Sequence, residues 1–498
     1  MIVWALDRIG ANEAMDTTIH NIFYKKNSTV SVLAKSASFS RAFITFMAGT
    51  MATMLSLALV VPDAQARDMR SVRPEREGFD VARLQQIDTY MNQQVEAGVM
   101  VGGLGMIARN GNIVYSSQWG ESDREASKPM TADAIFRIYS MTKPITGVAL
   151  MMLHEEGKFL LNDPVAKYLP ELANLSVSVS TADGTISGVS DGTQNLAKGE
   201  EAEVEPGTTR QPKRQPTIRD LMRHTAGFTY GVFGNTEVDK AYRDAGLLRD
   251  HPDLTDFVAK LGKIPLQYEP GERWHYSVSV DVQGALVERL SGMRFSEFLK
   301  TRIFEPLGMP DTSFTIRPDK RDRFAQMYAP KGTPAGLDAW ITPNASSELE
   351  VAPEFANRGF QPGATFESGG GGLISTAMDY LRFSQMMLNG GELDGVRLLA
   401  PGTVELMSRD HMGDVTMGFG RKGMGFGLDF AVIEDPGTAG DVGAEGEYSW
   451  GGAAGTRFWI DPKNQMVGVF MVQILPHRTD LASKFKVLSY AALTEASE

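Results

Sequence analysis

Two stretches of the chain have the pattern of paired strands. Residues 101–119 (VGGLGMIARNGNIVYSSQW) read as a hairpin, because Asn110-Gly111 supplies the positive φ angles that a tight turn between twisted strands needs. Residues 456–473 (TRFWIDPKNQMVGVFMVQ) read as a second hairpin, turning at Asp461-Pro462-Lys463-Asn464. The two hairpins are expected to pair in one antiparallel sheet built from distant parts of the chain. Between them the apolar repeat lengthens to the helical period, predicting helices over 140–156, 218–222, 254–261, 279–290, 295–303 and 377–388. Residues 170–216 are rich in Ser, Thr, Gly and acids and read as a surface excursion, with Gly199-Glu200-Glu201-Ala202-Glu203 a solvated face. No internal repeat is visible. The pattern predicts an α/β unit from 67–165 and 370–498, with a mostly helical unit, 166–369, inserted between its halves.

Composition narrows the function. The 498 residues are 42% hydrophobic and 22% charged, an ordinary globular balance. With 49 basic against 61 acidic side chains the net charge is −12, which argues against nucleic acid or an anionic membrane as the partner. Cysteine is absent, so disulfides, thiolate metal sites and a cysteine nucleophile are excluded. The seven histidines are scattered and form no H-E-x-x-H, and no metal or cofactor is assigned. An uncharged stretch over 42–61 follows Lys35 and Arg41 and precedes Ala64-Gln65-Ala66, the order of a secretory signal cleaved after Ala66. The competing reading is an uncleaved anchor, since a helix of that length could cross a bilayer. Residues 1–66 are therefore expected to export a periplasmic or secreted protein with no stable membrane partner once cleaved.

Several segments could carry chemistry. In Ser140-Met141-Thr142-Lys143 the hydroxyl and the ammonium share a helix face, and Pro144 follows in the first turn. A serine becomes a good nucleophile only when a neighbouring base takes its proton and positive charge favours the alkoxide. Alone, this spacing is weak, because an N-cap with a solvated lysine produces it as well. Gly188-Val189-Ser190-Asp191-Gly192 matches the G-x-S-x-G elbow, but its polar flanks lack the buried strand and following helix that the elbow requires. The G-x-G-x-x-G at 418–423 likewise lacks an apolar strand before it and a helix after it, so a nucleotide site is rejected.

Further segments decide between these. Residues 136–172 (from FRIYSMTKP to YLPEL), 217–228 (TIRDLMRHTAGF), 274–292 (WHYSVSVDVQGALVERLSG), 306–314 (PLGMPDTSF), 368–383 (SGGGGLISTAMDYLRF) and 450–462 (WGGAAGTRFWIDP) resemble, in order, landmarks of the serine β-lactamase and penicillin-binding-protein superfamily. The resemblance is to its class C-like branch, which includes family VIII carboxylesterases. It implies a β-lactamase-like fold of α/β (α+β) class: an antiparallel sheet flanked by helices, with an inserted mostly helical subdomain. It also implies Ser140 as the acylated nucleophile, with Lys143 and Tyr276 completing the proton relay. The backbone N–H groups of Ser140 and Ala453 would form the oxyanion hole, and Trp450, Gly451 and Gly452 would line the substrate site.

Two departures from the lactamase pattern bear on substrate. Tyr276-Ser277-Val278 stands where lactamases have Tyr-x-Asn, and Trp450-Gly451-Gly452 replaces Lys-Thr-Gly, removing the usual cation for a β-lactam carboxylate. Both changes resemble the esterase branch, and an uncharged pocket suits short acyl esters. The expectation is a carboxylesterase acting on a small-molecule ester through a Ser-Lys-Tyr relay. A β-lactamase or D-alanyl peptidase, an acyltransferase and a catalytically silent ligand- or peptidoglycan-binding protein are the alternatives. His224 and His275 are expected to pack behind the site, and 368–372 to form a tight turn before a helix.

Overall fold

The computed structural model describes residues 69–179, 207–248, 251–334, 346–356 and 358–494, so the 42–66 segment and Ser190 lie outside the described residues. The first hairpin forms as its turn dictates: β1 (Gly102–Arg109) and β2 (Asn112–Asp123) are joined by Asn110 (φ 52°) and Gly111 (φ 77°). The chain then adds β3 (Lys128–Pro129), and β4 (Phe136–Arg137) pairs with β5 (Ile374–Ser375). The other strands of the main sheet are β6 (Met424–Phe426), β7 (Ala431–Ile433), β8 (Tyr448–Gly451), β9 (Arg457–Asp461) and β10 (Met466–Val472).

One eight-stranded antiparallel sheet runs in the order β6-β7-β8-β9-β10-β1-β2-β3. The two hairpins meet at β1 and β10, in register from Gly103 opposite Val472 to Arg109 opposite Met466. The second turn differs by one residue from expectation: Asp461 stays in the ladder opposite Met466, and its carboxylate accepts the Asn464 N–H at 2.9 Å, closing the turn from inside the strand.

The helices that frame the sheet and the site include α1 (Val81–Glu96), α2 (Thr142–Glu155), α3 (Ile218–Met222), α4 (Leu254–Leu261), α5 (Ser279–Ser291), α6 (Phe295–Leu299), α7 (Ala377–Leu388) and α8 (Leu481–Ala491). Two depart from the periodicity reading. The helix expected from residue 140 opens as a tight 3₁₀ turn, Tyr139–Met141, and α6 loosens into a π turn, Lys300–Phe304. Helix α3 is short but capped at both groups of a capping box, Thr217 and Asp220 exchanging side-chain-to-backbone bonds.

Alternation along the strands divides the core. Phe458 and Ile460 join Met106, Val467 and Val469 in the cluster that receives α2 and α7, while Trp459 and Phe470 pack with Ile87 of α1 and Phe485 of α8. With both faces covered, every residue of β10 is buried, which explains its unbroken apolar run. Helix α2 is buried continuously from Thr142 to Leu153 and packs against α5. Its first turn therefore brings whatever polar groups it carries into the protein interior.

Candidate active site

The chain leaves β4 through Ile138 and turns at Tyr139, whose φ of 42° is uncommon for a residue with a bulky side chain. Such backbone costs of order 1–3 kcal/mol and persists only where surrounding contacts hold it. Here the Tyr139 hydroxyl donates to the Ala356 carbonyl at 3.1 Å, and its ring meets Phe360 edge-on at 5.4 Å. Half-buried Ser140 follows directly.

Lys143, one turn on, is completely buried. Its Nζ donates to Ser140 Oγ at 3.1 Å and to the Gly370 carbonyl at 2.5 Å, and stands 4.6 Å from the Tyr276 ring centre. No carboxylate lies within ion-pair distance of this ammonium among the described residues.

Two buried carboxyls act on Lys143 from farther away. Asp281 accepts from the Ser368 hydroxyl (2.5 Å) and from the Gly370 N–H (3.0 Å), so it fixes the turn whose carbonyl holds Lys143. Burial raises the Asp281 pKa, opposed by the Ser368 bond and the Lys143 charge. Asp429 is fully buried against Gly147, one turn beyond Lys143. Its Oδ1 accepts from Gln283 Nε2 at 3.0 Å, while its Oδ2 and Gln283 Oε1 are both buried without a partner. Burial pushes the Asp429 carboxyl well above the ordinary range. A proton on Oδ2 would give that oxygen a hydrogen to donate, the kind of partner that the orphan Gln283 Oε1 lacks.

Tyr276, half-buried before α5, sits among aromatic rings. Trp274 stacks on it at 5.9 Å, and His224, Tyr230, Phe419 and Trp450 approach at 4.8, 5.2, 5.7 and 5.5 Å. The Trp450 indole Nε1–H donates to its hydroxyl at 3.2 Å. His224 is fully buried, and desolvation together with the Lys143 charge lowers its pKa well below the usual value, so it stays neutral.

Gly452 brings the end of β8 to the nucleophile's segment. A Cβ at this residue would lie 2.4 Å from the Ile138 carbonyl oxygen and 2.2 Å from Thr456 Oγ1, so only glycine permits the approach. The neighbouring Ala453 N–H and the Ser140 N–H have no hydrogen-bond acceptor among the described residues. Two unpaired donors beside a serine hydroxyl have the chemistry of a site for a developing oxyanion.

The structure thus joins Ser140 to Lys143, Lys143 to Tyr276, and Tyr276 to Trp450, and brings Gly452 to the segment before Ser140. Sequence reasoning passed over Asp281, Asp429 and Gln283. The one available signal was the acid inside the apolar run GFGLDF at 425–430.

A sequence profile of the family described as Beta-lactamase matches residues 87–492. The chain belongs to the beta-lactamase family. Among its relatives are Esterase EstB of Burkholderia gladioli, 31% identical over 78% of this chain and 91% of that protein. A candidate D-alanyl-D-alanine carboxypeptidase of Escherichia coli is 27% identical over 85% and 90%. Among solved structures, EstCE1, described as a hydrolase with promiscuous acyltransferase activity, superposes with a TM-score of 0.64 at 26% identity, covering 82% of this chain and 99% of its own. The chain is a beta-lactamase-family serine hydrolase with the family's α/β fold.

Proposed function

We propose that the protein is a carboxylesterase acting on short acyl esters, with Ser140 as nucleophile. The observation that carries this reading is the buried Lys143 ammonium within hydrogen-bond reach of Ser140 Oγ and anchored by the Gly370 carbonyl. In the proposed reaction the Lys143–Tyr276 pair starts with one open proton site, Ser140 Oγ attacks the ester carbonyl carbon, and its proton fills that site. The carbonyl oxygen gains charge facing the Ser140 and Ala453 N–H groups. The tetrahedral intermediate collapses, the C–O bond to the alcohol breaks, and the relay returns the proton to the leaving alkoxide. Water, deprotonated by the same relay, then attacks the acyl-enzyme and releases the acid and Ser140.

The ester preference is supported by Trp450, which stands where a lactamase has its cation and spends its only polar hydrogen on Tyr276. The aromatic surroundings of Tyr276 suit a neutral, apolar acyl group. Acyl transfer to an alcohol is a second reading, favoured by the promiscuous acyltransferase activity of EstCE1. The enzyme of this proposal works after export, a reading supported by the signal-like order of residues 42–66.

The test compares hydrolysis of p-nitrophenyl butyrate and a chromogenic cephalosporin by the purified protein and its Ser140→Ala and Ser190→Ala variants. Ester turnover that vanishes with Ser140→Ala and survives Ser190→Ala is the expected result. A preference for the cephalosporin would overturn the substrate assignment, and turnover retained by Ser140→Ala would overturn the nucleophile.

A further inference from the structure

On the face of the sheet away from α2, a cleft of about 500 Å³ opens between the 420–442 segment, the start of β9 and helix α8. Arg421, Lys422, Arg457 and Lys486 line it, against a single lining carboxylate, Asp441. That carboxylate is already engaged, accepting from Lys486 Nζ at 2.5 Å and from the Gly443 N–H at 3.0 Å. Lys486 is further neutralised by Glu447 behind it, at 2.5 Å.

The two arginines are left over. Among the described residues neither forms an ion pair, and Arg457 Nε is buried with no hydrogen-bond partner. Desolvation by the protein around it and the nearby Arg457 charge work against the Arg421 guanidinium and the Asp441 charge supports it, so that its pKa is lowered only to about 10 and it is cationic at neutral pH. In a chain of net charge −12, two guanidinium groups face one cleft whose single lining carboxylate, Asp441, is already bonded to Lys486. Each guanidinium presents a planar fork matched to the oxygens of a phosphate or carboxylate. Burying the Arg457 Nε–H without an acceptor is unfavourable, and the remaining N–H groups of that guanidinium are the donors an anion in the cleft would meet.

The geometry points to this cleft as a binding site for a phosphate-type dianion, held between Arg421 and Arg457 and separate from the Ser140 site. Its floor is mechanically close to the candidate active site: Arg457 lies directly opposite Gly451, two residues before Ala453, in the β8–β9 ladder. The phosphate group could be carried by a free anion or by a lipid headgroup, and the same two side chains would receive either.

Titration calorimetry of the purified protein with inorganic phosphate and with pyrophosphate tests the site, alongside flotation with phosphatidylglycerol vesicles. The variants are Arg421→Gln and Arg457→Gln, with Lys331→Gln as a control, since Lys331 pairs with Glu348 elsewhere on the surface. Saturable binding weakened about tenfold or more in each arginine variant and unchanged in the control is the expected result. Arg421 reaches solvent at the mouth of the cleft, so its variant keeps the test valid even where Arg457→Gln fails to fold. Vesicle binding lost in the same variants, without binding of the free anions, assigns the phosphate to a lipid. No saturable binding to any of the probes, or binding that survives Arg421→Gln, overturns the proposal.

Discussion

The Trp450 indole N–H points its hydrogen at the Tyr276 hydroxyl oxygen, 3.2 Å away, from the end of β8 next to Gly451 and Gly452. A neutral donor in that position stabilises a phenolate more weakly than a charge would, and leaves the site without an electrostatic hook for a substrate carboxylate.

Trp450→Phe keeps the ring and removes this one bond. We expect kcat/KM on p-nitrophenyl butyrate to fall about tenfold, the worth of one hydrogen bond to a group acquiring charge. The melting temperature should move little. An unchanged rate would detach Tyr276 from the relay.

Gly452→Ala should damage both stability and rate. Its methyl group would press on the Ile138 carbonyl, and overpacking of this kind costs about 1–3 kcal/mol. Because relief of the clash moves the Ala453 N–H away from Ser140, kcat should drop further than the loss of stability explains. Urea unfolding and steady-state kinetics on the same preparation separate the two effects.

Asp429 provides a sharper contrast. Asn in its place can donate to Gln283 Oε1 and accept from Gln283 Nε2, and it tolerates the left-handed backbone (φ 67°) found there. Asp429→Asn should therefore retain stability and activity, whereas Asp429→Ala should lose about 2–3 kcal/mol by orphaning the Gln283 amide. Equal damage from both variants would mean that the aspartate acts as an anion.

Acid should weaken the fold through Asp220. Burial disfavours its charge, but bonds from Arg214 and Thr217 prevail and hold the carboxyl at about 2, below the ordinary 3.8. The unfolded chain then binds the proton more readily than the folded one, so this contribution is complete above pH 4 and disappears as pH falls toward 2. Its size is about 2 kcal/mol, from roughly 1.4 kcal/mol per unit of pKa. Asp220→Asn should be destabilised at pH 6 and should have lost most of the wild-type decline between pH 4 and 2, as followed by urea unfolding.

What the sequence by itself determined is what depends on local pattern. Asn110-Gly111 set the first turn, alternation along 101–119 and 456–473 set two hairpins, and the helical period located α2, α4, α5 and α7. The S-x-x-K spacing put Ser140 and Lys143 on one helix face, because residues three apart in a helix are neighbours whatever surrounds them. Tertiary structure alone decided the rest. Gly370 lies 227 positions from Lys143, Trp450 174 positions from Tyr276, and Gln283 146 positions from Asp429. No periodicity links such pairs. They meet because the sheet closes β1 onto β10 and α2 is sunk between that sheet and α5, where a buried lysine and aspartate must be satisfied by whatever the fold brings within reach.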